Sequence, residues 1–173
     1  MRKLAVCLTL LLLAASSVGA QPDSLPAPLA RFADSIANLP RDPLILRGRL
    51  YVPAHSSLMI RDGTTRLDLS VTLSIQNTSD TGTLVIERID YFNVAGQLVE
   101  KYLPTPIALK PYGAIQIVVP QEDIRGGLGA NFIVDWSSPE TIDEPFVEAI
   151  MIGGGPGTQG YSFVSVGRKV SRP

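Results

Sequence analysis

The stretch Leu67-Asp68-Leu69-Ser70-Val71-Thr72-Leu73-Ser74-Ile75-Gln76 carries an apolar residue at every odd position and a polar one at every even position. Side chains alternate between the two faces of a β-strand, so this pattern describes a strand with one face on a core and the other in water. Leu69, Val71, Leu73 and Ile75 are the expected core residues, and Ser70, Thr72 and Ser74 the expected solvent-facing ones. Asn77-Thr78-Ser79-Asp80-Thr81-Gly82 follows as a turn, since asparagine, aspartate, serine and glycine each favour tight backbone reversals. Residues 84–92 return the chain. Their apolar parity slips between Ile86 and Ile89, which places a bulge at Glu87-Arg88. Asn93-Val94-Ala95-Gly96 then closes a hairpin into residues 97–102.

Further strand-like runs occupy residues 47–52, 114–119, 130–136, 146–152 and 161–166, with proline and glycine turns between them. No helical pattern separates them to serve as a crossover, which favours an all-β antiparallel sandwich over a parallel sheet. An immunoglobulin-like topology is the first expectation and a closed β-barrel the alternative, because strand number alone does not distinguish two packed sheets from one rolled sheet. Ahead of these strands, residues 21–46 hold Pro22, Pro26, Pro28, Pro40 and Pro43, with Leu29, Phe32, Ile36 and Leu39 at helical spacing between them. That segment reads as a proline-rich linker with one short amphipathic helix. The expected division is a leader over 1–20, the linker over 21–46, one β-sandwich domain over 47–167 and a tail over 168–173.

Met1-Arg2-Lys3 supplies positive charge, residues 4–15 a leucine-rich apolar run, and Val18-Gly19-Ala20 the small residues of a cleavage site. Together they form a secretory signal peptide, with cleavage expected after Ala20. The apolar run falls short of the roughly 20 residues that span a bilayer. The only cysteine, Cys7, lies in this leader, so the processed chain would carry no disulfide, thiolate nucleophile or cysteine metal ligand. Gln21 stands where a lipoprotein would carry its acylated cysteine. The expected product is soluble and periplasmic or secreted, with no membrane span and no lipid anchor.

Lysine plus arginine number 15 against 16 aspartates and glutamates. That balance leaves no basic excess for a phosphate backbone or an anionic membrane surface, so nucleic acid is not an expected partner. His55 is the only histidine. A catalytic triad would have no other base, no serine sits in a GxSxG elbow, and a transition metal would rest on one imidazole plus carboxylates. Gly155, Gly157 and Gly160 spell GxGxxG, but Pro156 interrupts the motif and residues 161–166 read as a strand. A dinucleotide fold needs the N-terminus of a helix there. Gly126-Gly127-Leu128-Gly129 lacks the lysine and the serine or threonine of a phosphate loop, and reads as a turn. Glu140, Asp143 and Glu144 cluster in one loop without the spacing of a calcium loop, and read as a solvated acidic turn. No cofactor, metal ligand or catalytic residue is assigned.

Two carboxylates stand in apolar strands. Asp135 lies between Val134 and Trp136, and Glu148 shares a strand face with Phe146, Ile150 and Ile152. A buried carboxylate is costly unless paired, and a raised pKa would suit general-acid chemistry. Two such groups facing one cleft would suit glycoside hydrolysis. The same residues are accounted for by a solvent-facing sheet surface, or by cross-strand pairing with an arginine such as Arg88. Trp136 reads first as a core anchor and second as a sugar-stacking platform.

Tyr51-Val52-Pro53-Ala54-His55-Ser56, Leu73-Ser74-Ile75-Gln76-Asn77-Thr78, Asp90-Tyr91-Phe92, Gly129-Ala130-Asn131-Phe132-Ile133-Val134-Asp135-Trp136 and Ile150-Met151-Ile152-Gly153 form a specific combination. Over residues 47–166 the chain resembles a bacterial exported family designated domain of unknown function three-one-two-four. The resemblance implies a family and assigns no activity, substrate or catalytic residue. Some relatives resemble lipoproteins, a pattern from which Gln21 departs. Asn131, Asp135, Trp136 and Glu148 are the candidate binding residues. The expected function is an exported, non-catalytic β-sandwich module that binds a protein, a glycan or an envelope component. The alternatives are a small-ligand or calcium-dependent binding protein, and a carboxylate-based hydrolase using Asp135 and Glu148.

Overall fold

The computed structural model describes residues 25–154 and 160–172. The leader, its cleavage point after Ala20 and the first two glycines of the GxGxxG motif lie outside the described residues. Along the chain the strands are β1 (Ile36–Ala37), β2 (Leu46–Ala54), β3 (Ser57–Ile60), β4 (Thr65–Gln76), β5 (Leu84–Phe92), β6 (Leu98–Lys101), β7 (Ile107–Leu109), β8 (Ala114–Val119), β9 (Ala130–Ser138), β10 (Phe146–Gly153), β11 (Tyr161–Val166) and β12 (Arg168–Lys169). They build two antiparallel sheets. Sheet I runs β1-β7-β5-β9-β2-β12, with β6 also on β5, and sheet II runs β11-β10-β4-β3, with β8 also on β4. The strands of the two sheets are hydrogen-bonded into separate ladders, which makes the fold an all-β sandwich and sets aside a single closed barrel.

The alternation in β4 places Leu69, Val71, Leu73 and Ile75 in the core, each fully buried. They join one cluster with Leu50 and Val52 of β2, Ile86, Ile89 and Tyr91 of β5, and Phe132 and Val134 of β9. Burying an aliphatic side chain of this size contributes about 1.5 to 3 kcal/mol, so the facing rows of the two sheets dominate the favourable energy. Ser74 departs from expectation, with only 4% exposure. It is flanked in register by the longer side chains of Glu148 on β10 and Gln116 on β8. The bulge falls where the parity slip puts it. The pairing of β5 with β9 shifts register between Ile86 and Arg88, which lets Ile86 and Ile89 both face inward.

The segment read as a linker is packed against the sandwich. A 3-10 helix spans Ala27–Ser35, and its Leu29 is fully buried in the core cluster. Pro26 precedes it and accepts from the Leu29 N–H at 2.7 Å, while Phe32 leaves helical geometry and the chain turns into β1 on β7. At the other end Gly167 carries the chain from sheet II to sheet I, its N–H donating to the Val147 carbonyl at 2.8 Å.

Candidate functional site

Asp135 on β9 stands opposite Arg49 on β2 and Arg88 on β5. Its neighbours Val134 and Trp136 point into the core, so the three charged groups project from the outer face of sheet I. Arg49 grips the carboxylate with both arms of its fork, Nε to Oδ1 at 2.6 Å and Nη2 to Oδ2 at 2.9 Å. Arg88 donates to Asp90 at 2.6 Å and lies 3.8 Å from Asp135. The principal partner of Asp135 is thus Arg49, with Arg88 second. The chain after β12 completes the cluster. The Val170 N–H donates to the Arg49 carbonyl at 3.0 Å, and Arg172 reaches Glu87 in the bulge at 2.6 Å.

Asp135 is only 3% exposed although it lies on an outer face. Burial works against its charged form, but the Arg49 bonds and the charges of Arg49, Arg172 and Arg88 outweigh that, holding the carboxyl below its ordinary range. Glu87 is lowered in the same way. Its burial is outweighed by the nearby Ser137 hydroxyl and by Arg172 and Arg47. A group held ionised this firmly is shaped for pairing, the opposite of the raised pKa that suits a general acid.

Trp136 points the other way. It is 3% exposed, lies over Gly48 in the facing register, and its Nε1 makes no hydrogen bond among the described residues. A Cβ on Gly48 would sit 2.5 Å from the indole, so the glycine makes room for the ring. That is the geometry of a core anchor. Asn131 is half-buried on the outer face of sheet I, opposite Pro53 and Phe92.

Glu148 belongs to the other sheet. Val147 and Ala149 beside it are buried, so Glu148 projects from the outer face of sheet II, between Val166 of β11 and Ser74 of β4. It forms no ion pair with the described residues, and the exposed side chains of Phe146, Ile152, Val118, Val164 and Val166 share its surface. Asp135 and Glu148 therefore lie on outward faces on opposite sides of the core. The fold does not bring them into one cleft. His55 bonds the Leu128 carbonyl through Nδ1 at 2.6 Å, and among the described residues no three His, Cys, Asp or Glu side chains converge as a metal-holding group.

An apolar concavity of the described residues involves none of these candidates. Two hollows of about 510 and 310 Å³ meet at Leu39 and Pro106 beside the β1 edge of sheet I. Leu25, Ile36 and Ile107 line the first, and Leu44, Val85 and Glu87 the second. The sequence signal for this trough is slight. Leu39, read as part of an amphipathic helix, is instead 51% exposed beside Pro40 in chain without regular structure, and Pro106 follows a bend at Pro104-Thr105.

No helix among the described residues is long and apolar enough to cross a membrane. No curated protein matches the chain. Among solved structures, the crystal structure of Thermotoga maritima 1070 is similar at a TM-score of 0.41 and 11% identity, over 70% of this chain and 92% of that one. The family described as "Protein of unknown function (DUF3124)" matches residues 47–170, which contain all of β2 but Leu46, β3 through β12 and both outer-face carboxylates. The chain belongs to that family.

Proposed function

We propose that this protein is an exported, non-catalytic binding module that takes an extended apolar segment of a partner protein along the β1 edge. The observation that carries this reading is an apolar trough lying beside a sheet edge that no described residue pairs. Lys110 N–H donates to the Ser35 carbonyl at 3.0 Å, which makes the pair just before β1 a hydrogen-bonded one. Such pairs alternate in an antiparallel ladder, so the Ile36 carbonyl and the Asn38 N–H face away from β7. An incoming strand can bond to those groups while its alternate side chains fill the trough. Export rests on the charged, apolar and small-residue leader over 1–20, and the immunoglobulin-like reading on a chain that alternates between the two sheets.

A photo-crosslinking residue at Leu39, in cells producing the full chain, tests this. The expected result is a polypeptide adduct that is absent from a control label at Met59 on β3. Asn38→Pro, which removes the outward N–H, should abolish the adduct without lowering the melting temperature of the purified chain. An adduct undiminished by Asn38→Pro would remove β-pairing from the proposal. A small apolar molecule captured at Leu39 would favour ligand carriage instead.

A further inference from the structure

The outer face of sheet II combines exposed apolar side chains with one bare charge. Val164 and Val166 on β11, Phe146 and Ile152 on β10 and Val118 on β8 are 40 to 55% exposed, with Ile150 half-buried among them. In register, Val166, Glu148, Ser74 and Gln116 form one row across four strands, and Val164, Ile150, Thr72 and Val118 form the next. Further along β4 the same face carries Asp68, but Arg66 already pairs with it at 2.7 Å. Glu148 is therefore the one ionised group in the middle of this surface without a partner among the described residues. Among the described residues β11 also ends the sheet, so the surface runs to an edge that none of them pairs.

Contiguous exposed apolar surface of this kind marks interaction sites. Covering it with a purely apolar partner would bury Glu148 uncompensated, at a heavy desolvation cost. A cation placed over the carboxylate turns that cost into a charge-assisted hydrogen bond and fixes the register of docking. A second copy of this chain, laid face to face, offers only Arg66, which is committed to Asp68, and brings two Glu148 carboxylates onto one interface. Anionic membrane surfaces would meet the same repulsion. We propose that the outer face of sheet II docks a partner protein that presents alternating apolar side chains around one arginine or lysine, the cation pairing with Glu148. This surface lies on the sheet opposite the trough, so the proposal stands apart from the one above.

The test is a phage-displayed library of random extended peptides, panned on the full chain and counter-selected on Val164→Asp. Enriched peptides should carry arginine or lysine flanked by apolar residues at alternate positions. Glu148→Gln should weaken them about tenfold, the loss of one charge-assisted bond. Panning on Glu148→Lys should enrich acidic-centred peptides instead. Asn38→Pro should leave all of this binding unchanged, and circular dichroism should show each variant folded as the parent. Failure to enrich any peptide, enrichment without a basic residue, or equal affinity for Glu148→Gln would overturn the proposal. So would a dimer of the full chain in light scattering that Val164→Asp dissolves.

Discussion

On the outer face of sheet I, Asp135 is 3% exposed and held between Arg49 and Arg88, while on the outer face of sheet II Glu148 is half-buried with no ion pair among the described residues. Both carboxylates sit in strands whose neighbours along the chain are apolar. Their fates diverge through the flanking strands. Register sets Asp135 between two arginines, but sets Glu148 between a valine and a serine. A charge within an apolar strand is thus decided across the ladder and cannot be judged along it.

Asp135→Asn should have the largest effect of any change to the two carboxylates. Removing one partner of this part-buried pair leaves Arg49 uncompensated, and a loss of about 2 kcal/mol, between the values for surface and fully buried pairs, is expected in a urea titration. A loss below about 1 kcal/mol would reduce the network to surface decoration.

Acid separates the two carboxylates next. The folded carboxyl of Asp135 titrates below its unfolded value, so its stabilisation is complete well above the unfolded pKa of about 3.9 and fades as pH falls through the lower folded value. Glu87 acts in the same direction, as does Asp123, which the Arg125 guanidinium bonds and holds below its ordinary range. Stability should therefore fall on acidification below about pH 5, with a shallower fall in Asp135→Asn. Identical slopes in the two proteins would assign the acid sensitivity elsewhere.

Arg172→Ala should cost about 1 kcal/mol, because its pair with Glu87 is partly screened by solvent. Thermal melting at low and moderate salt checks it, since the deficit should shrink as salt rises. The smallest effect belongs to the other face. Glu148→Gln should shift stability by no more than about 0.5 kcal/mol, having no partner within the described chain to lose. A deficit above about 1 kcal/mol would mean that the two carboxylates are equally structural.

The long elements were legible because alternation over β4, β8 and β11 repeats often enough to declare its period, and the slip at Glu87 is itself a break in that period. β1, β3, β7 and β12 hold two to four residues each, too few to show any period, and only their partners make them strands. The sequence left Glu148 open between core and surface, because Phe146, Ile150 and Ile152 on its own strand face are apolar. Arg49 as the holder of Asp135 was not, because the two are 86 residues apart and meet only through the β2–β9 pairing. The trough was hidden for the same reason. Leu39 and Pro106 come from segments far apart in the chain, and neither alone carries the signature of a wall.

Trp136 is the only tryptophan in the chain, and its indole lies over Gly48 in the buried core. Ultraviolet emission from the intact protein therefore comes from one known place between the sheets. Rupture of an ion pair on either outer surface should leave that emission blue-shifted, whereas separation of the sheets admits water and moves it to the red. The molecule carries a built-in optical probe that distinguishes loosening at its periphery from opening at its centre, with no label attached.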